Sequence, residues 1–440
     1  MCGQSSPAVT ENRRIADPIT TVETELEPPV LPERERTRAL LRRRDFRRVY
    51  AAIAISVLGD SFHYIALMWV ALVTAGPLGV LAVRLADSIP ALVFGFHGGL
   101  IADRLDRRRT MVGADLARAL VLVPVAIAGL AHHLPIGGLV VAAFTLEAAT
   151  SYFEPAYGAL LPMVVERRNV QAANGLVNAT AQALSVGGWG IAAALLLFLP
   201  VSAFFAVNAL SFVASALLLS GVRVADRERA GGDAPRMREG FAALRPRPAL
   251  AVAIATLGVG VTISSGTWIV GVPQLVRESL HRGAGSFSLI AAAYAVGSVI
   301  VGVLLTRVHV RRKERASFAS WSAYLPGYGL FAVTRSLAPA LAGAACDGCG
   351  QSSARVLVNS AAQEQIPDET LGRVMGLVSL VHRGAHATGL LLIAPLFVFL
   401  SPRAVFAGAA IAIPLVGFAG AISVRAIEAR ADATARSRRS

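Results

Sequence analysis

Twelve stretches of the chain are apolar almost throughout: 49–74, 79–101, 111–131, 136–160, 171–197, 201–221, 249–272, 286–306, 316–334, 338–362, 372–396 and 402–425. Each approaches or exceeds the roughly 20 residues that an α-helix needs to cross a hydrocarbon core. Inside that core every backbone N–H and C=O must be bonded within the chain, and a helix does this segment by segment. The runs therefore predict an all-α membrane protein with twelve transmembrane helices. A soluble protein with one very large core is the competing reading. It fits poorly, because only 16% of residues are charged, against roughly 25% in soluble domains. Pro90, Pro124, Pro326, Pro395 and Pro414 fall inside the runs, where neighbouring helices can satisfy the freed carbonyls.

The basic residues orient the spans. With the N-terminus in the cytoplasm, 34 of the 42 Lys and Arg fall in the tails and in the loops on the same side. The opposite side holds Arg277, Arg282, Arg335 and Arg403, and Arg84, Arg118, Arg355 and Arg383 lie within spans. Such an asymmetry predicts cytoplasmic termini and a multi-pass protein of the cell membrane. The net charge of +14 then needs no nucleic acid as partner, because a basic face beside anionic lipid explains it. Residues 1–45 are polar and Pro-dotted, lack the apolar core of a signal peptide, and read as a disordered cytoplasmic tail.

Between the sixth and seventh runs lies a polar stretch, 223–248, read as a cytoplasmic linker between six-helix bundles at 46–222 and 249–426. A basic cytoplasmic tail follows at 427–440. The halves echo each other: GLVN at 175–178 opens the fifth run and GLVS at 376–379 lies at the start of the eleventh. Paired repeats of this kind are a transporter architecture, with the binding site near the midplane between them.

After the second run comes GGLIADRLDRRRT, 98–110, with six charges in the seven positions from Asp103 to Arg109. Its G-x-x-A-D-R-x-x-R-R pattern, carried by Gly99, Ala102, Asp103, Arg104, Arg107 and Arg108, resembles the signature loop of the major facilitator superfamily. ADLARAL (114–120), FEPAYGALLPMVV (153–165), NGLVNA (174–179), VNALSFVASALLL (207–219) and MREGFAALRPRPAL (237–250) are similar to its macrolide-efflux and enterobactin-exporter branch. The resemblance covers about residues 45–425. It implies two six-helix bundles and transport by alternating access. It also implies that the loop is a releasable latch: Asp103 would meet the start of span 11 near Gly372, where free N–H groups and a helix dipole attract a carboxylate. Arg107 and Arg108 would pair with acids of their own half, for instance Asp115. The sequence departs from the family at Asp106, usually Gly, and on span 5. There antiporters often carry Gly-Pro and then Gly-Gly, and this chain has Gly188-Trp189 and Ala192-Ala193.

Ionisable residues within spans are costly and are functional candidates. Asp60 and Glu147 sit near mid-span, and Glu154 lies seven residues beyond Glu147 on the same helical face. These three are the candidates for proton coupling or substrate binding, the alternative being acids permanently neutralised by arginine. Arg84 and Asp87 are placed to pair with each other. Trp189, Asp347, Arg355, His382, Arg383 and His386 are read, with that pair, as cavity lining. Cys346 and Cys349 form C-x-x-C, but inside a span they read as small packing residues. His382 and His386 lack further ligands for a metal. No metal and no cofactor are expected.

The functional expectation is a secondary active transporter exporting a small amphipathic drug or secondary metabolite, with protons as coupling ion. Its partners would be that small molecule, protons and membrane lipid, and it would act as a monomer. A facilitator or uptake transporter of the same fold is the alternative, and a non-transporting sensor a third. The chain has no H-E-x-x-H or G-x-S-x-G, and its one lysine, Lys313, lacks the glycines of a phosphate-binding loop. An enzyme is not expected.

Overall fold

The computed structural model describes residues 33–104, 106–166, 169–223, 237–308 and 310–437. Among them every apolar run is helical. In chain order the helices are α1 (Glu33–Arg42), α2 (Arg44–Arg104), α3 (Arg107–Leu130), α4 (Ile136–Val164), α5 (Val170–Leu195), α6 (Ala203–Ser220), α7 (Met237–Leu244), α8 (Pro248–Gln274), α9 (Ala284–Arg307), α10 (Lys313–Ser320), α11 (Tyr324–Val333), α12 (Leu337–Gln365), α13 (Asp368–Ile393), α14 (Leu396–Phe399) and α15 (Pro402–Ser437). Among the described residues, eight helices are long and apolar enough to cross a membrane. Twelve runs map onto eight such helices for local reasons. The first two runs share α2, the run at 316–334 is split by a 3-10 turn at Trp321–Ala323, and α5 and α12 are rich in Asn, Gln, Ser and Thr.

The 61-residue α2 is broken at Ala75 and Gly76. Gly76 has φ 65° and ψ −158°, a region essentially closed to residues with a Cβ. Pro77 then restarts the helix, its fixed φ suiting a first turn. Nothing lies within 4 Å of a Cβ built on Gly76, so Gly76→Ala tests backbone strain without steric overlap. The variant should lose about 1–3 kcal/mol, read as a lower melting temperature in detergent. An unchanged melting temperature would mean that the break relaxes without cost.

Helices α2 to α6 pack mainly on one another, as do α8 to α15. The two sets meet where α5 runs beside α9 and the first rod of α2 beside α8. Close approach between helices depends on small residues. A Cβ on Gly348 would overlap the backbone of Tyr294, and one on Gly297 that of Ala345, which is how α9 and α12 come together. The second set is anchored by buried aromatic rings. Tyr328 stands edge-on to Phe406 at 5.2 Å, and Phe331 lies 4.8 Å from Phe406.

Three segment boundaries differ from the sequence reading. The tail read as disordered over 1–45 is helical from Glu33, because Leu40 is buried with Phe46 and Arg43 pairs with Glu166. The linker 223–248 contains α7, which packs on α13. The basic tail from 427 continues α15 as helix to Ser437, with Glu428 paired to Arg315.

Candidate substrate and coupling cleft

Asp60 sits on the first rod of α2 beside Gly59. A Cβ on Gly59 would overlap Ser211 and Asn208 of α6. The missing side chain lets the helices close until Asn208 Nδ2 donates to Asp60 Oδ1 at 3.2 Å. Asn208 is buried, whereas Asp60 stays exposed. The carboxylate is therefore held from behind and open in front.

On the second rod Arg84 Nη1 donates to Asp87 Oδ2 at 2.5 Å, one helical turn apart as its spacing predicts. Glu147 of α4 is half-buried and within electrostatic reach of Asp87, Glu154, Arg383 and Arg84. Glu154 Oε2 lies 3.8 Å from Arg383 Nη2, which joins α4 to α13 across the two sets. Both side chains remain highly exposed, at 63% and 61%. Water therefore reaches this pair, and the space between the sets is a cleft.

The opposite end of the cleft is held by backbone contacts. Arg277 Nη1 donates to the Leu72 carbonyl at 2.8 Å, and Ser288 Oγ to the Trp189 carbonyl at 2.5 Å. Trp189 packs at this seam. Its ring lies 6.0 Å from Tyr64, which is 6.4 Å from Phe287 of the other set. Tyr64 also lies beside the indole of Trp268, whose ring is 4.9 Å from Tyr294. The deep end of the cleft is thus aromatic, and the charges stand on its walls.

The second wall comes from α12 and α13. Arg355 is exposed, and the His382 and His386 rings are in edge contact at 5.0 Å. Asp347 does not line the cleft. It is 1% exposed and sits beside the hydroxyls of Tyr324 and Tyr328, because the close approach of α11 and α12 at Gly327 and Gly343 buries its side of the helix. Cys346 and Cys349 are free thiols, with Cys349 Sγ donating to the Gly297 carbonyl at 3.3 Å. Cys349 thus packs α12 on α9, and Cys346 lies against Gly327 of α11.

The comparisons with known proteins fall on this architecture. The family model of the Major Facilitator Superfamily matches residues 46–390. The chain belongs to the major facilitator superfamily. Macrolide efflux protein A of Streptococcus pyogenes is 24% identical over 361 residues, spanning 79% of this chain and 88% of that protein. The uncharacterized MFS-type transporter YvqJ of Bacillus subtilis is 21% identical over 280 residues, 61% of this chain and 66% of that protein. Among solved structures, the nucleoside transporter NupG has a TM-score of 0.66 at 12% identity, covering 85% of this chain and 98% of that one. A bacterial homologue of the iron transporter ferroportin, inward-facing, has a TM-score of 0.66 at 18% identity, covering 86% and 98%. At these identities the structural likeness is one of fold. As a superfamily member the protein is a multi-pass membrane transporter and not an enzyme.

In the superfamily signature loop, Gly99, Asp103, Arg104 and, opposite, Gly372 lie outside the residues whose side chains are described. The rest of the loop is built differently from the sequence reading. Arg107 Nη1 contacts Met163 Sδ at 2.7 Å, and Arg108 Nη1 donates to the carbonyls of Ser220 and Val222 at 3.2 Å, capping the end of α6. Asp115 pairs with neither. Its Oδ1 accepts from Arg118 Nη2 at 2.6 Å, one turn along the same helix, and both are buried. The Arg118 guanidinium is enclosed by the Phe153 and Phe212 rings, 4.5 and 4.4 Å from their centroids, which fixes its direction toward Asp115. Asp106, where the superfamily usually has Gly, caps α3 by accepting from Arg109 N at 2.9 Å.

Sequence reasoning overlooked Asn208, Tyr64, Trp268, Tyr294 and Arg118 as parts of this arrangement. Only Arg118 carried a local signal, the three-residue spacing from Asp115.

Proposed function

We propose that the protein exports small amphipathic compounds across the cell membrane, driven by proton antiport, with both termini in the cytoplasm. The observation that carries this reading is the placement of Asp60. A carboxylate near mid-span, braced by Asn208 and open to the cleft, is what a group that loads and releases a proton during alternating access requires. The aromatic end around Tyr64, Trp189 and Trp268 suits the apolar body of a substrate. The likeness to macrolide efflux protein A supports outward transport, and the distribution of Arg and Lys supports the orientation.

The test is accumulation of an amphipathic dye such as Hoechst 33342 in cells that express the protein. Expressing cells should hold less dye than control cells, and a protonophore should erase the difference. Dye levels that equilibrate with no response to the protonophore would replace export by facilitation.

The signature loop is read as the latch between bundles, with Asp103 as its acid. Asp103→Asn should slow export while expression stays near normal, because a latch acid of this kind would meet a helix end and not the core. Export at the wild-type rate would reduce the loop to a topological anchor.

A further inference from the structure

The two walls of the cleft carry opposite charge. The first set contributes Asp60, Asp87, Glu147 and Glu154 against Arg84 alone, since Arg118 is consumed by Asp115. The second contributes Arg355, Arg383, His382 and His386, while Asp347, on the same helix as Arg355, is turned away and buried. Arg355 has no hydrogen bond or ion pair among the described residues. The titratable groups around it are Arg383, His382 and His386, and Tyr294 faces it from α9.

An arginine within a span that faces a water-filled cavity, with no carboxylate against it, marks a place where a substrate's charge can be met. Beside Arg355 lies a cavity of about 200 Å³, lined also by Asn359, Met375, Ser379, His382 and Arg383. Asn359 Oδ1 and His382 Nδ1 are buried there without hydrogen-bond partners among the described residues. Arg383 bridges the cavity to Glu154, at a distance of 3.8 Å that leaves much of its donor capacity free.

We infer that this cavity is the subsite for an anionic group of the substrate, a carboxylate or similar oxyanion, held by Arg355 with His382 and Arg383 beside it. The guanidinium offers a planar fork of donors that matches a carboxylate. His382 Nδ1, in the tautomer that protonates it, adds a donor, and Met375 and Val378 supply apolar contact for the adjoining carbon. The substrate's apolar body would then extend toward the aromatic end of the cleft. Arg383 would be shared between the bound anion and Glu154, so occupancy of the subsite weakens one of the contacts between the two sets. The inference rests on the cleft being the transport pathway and adds the substrate's chemistry to that reading.

A matched pair of fluorescent probes tests it: dansyl-glycine, which carries a carboxylate, and dansyl-glycinamide, which does not. Binding is measured on the full-length protein in nanodiscs. The carboxylate probe should bind about tenfold or more tightly than the amide, as a hydrogen-bonded charged group warrants. Arg355→Gln should bring the two within about twofold of each other by weakening the carboxylate probe alone, and Arg355→Lys should restore part of the preference. Unchanged amide binding in both variants shows that the cleft is intact. Equal affinities in the wild-type protein, no binding of the carboxylate probe, or a preference that survives Arg355→Gln would overturn the subsite. Protonophore-sensitive dye export that persists beside such a result would leave the export reading standing. Loss of that export, with the carboxylate preference intact, would remove the export reading and keep the subsite.

Discussion

Asp60→Asn is expected to reduce protonophore-sensitive export to the level of cells without the protein, while expression and downhill exchange of substrate continue. The substitution keeps the shape of the side chain and removes its titration. Folding should tolerate it, because the amide oxygen can still accept from Asn208 Nδ2, which holds Asp60 Oδ1 at 3.2 Å in the wild-type protein, and the remaining NH2 faces the open cleft. A coupling acid must reach water from one side of the membrane and then from the other, and Asp60 is exposed to the cleft despite its mid-span position. The measurement is export in everted vesicles across a series of imposed pH gradients. Export by Asp60→Asn that still follows the gradient with wild-type pH dependence would make Asp60 a structural acid. Glu147 and then Glu154 would follow as coupling candidates.

Arg118→Leu should be the most destabilising single change on the cleft's supporting structure. Arg118 and Asp115 are paired at 2.6 Å and almost fully buried, and removal of one partner leaves an uncompensated charge in an apolar setting. Such changes cost about 3–5 kcal/mol, and here the contacts with Phe153 and Phe212 are lost as well. The expected readouts are a markedly lower melting temperature in detergent and reduced expression. The double variant Asp115→Asn, Arg118→Leu should recover much of the loss, because no buried charge remains. A single variant as stable as the wild type would mean that water reaches Asp115 and that the pair does not brace α3 between α4 and α6.

The outcome for Asp115 shows why part of the site was not legible in the chain. Arg107, Arg108 and Arg118 all lie within two turns or so of Asp115 along α3, and local spacing permits more than one partner. The choice is made by Phe153 of α4 and Phe212 of α6, which enclose Arg118, and by the end of α6, which takes Arg108. Asp347 and Arg355 give a second case. Eight residues apart on α12, they differ by about 80° around an ideal helix, so either could face the cleft. Packing against α9 and α11 buries the first, and the second is left open.

What the sequence determined by itself is everything that follows from local bonding and partition. Each apolar run is a helix, because a bilayer segment must satisfy its own backbone. Arg84 and Asp87 pair, because residues three apart are neighbours on one face of a helix. The family is legible in the loop from Gly99 to Arg108, whose residue types and spacing lie within one short segment. The tertiary structure decided whatever depends on distant parts of the chain. Asn208 meets Asp60 across 148 positions, through the gap left at Gly59. Arg383 meets Glu154 across the two sets of helices. Among the described residues Arg355 has no ion-pair partner, and Asp347 on the same helix is buried on another face. Side chains of a helix bundle choose their faces by the packing of other helices, and that choice involves energies no single segment contains.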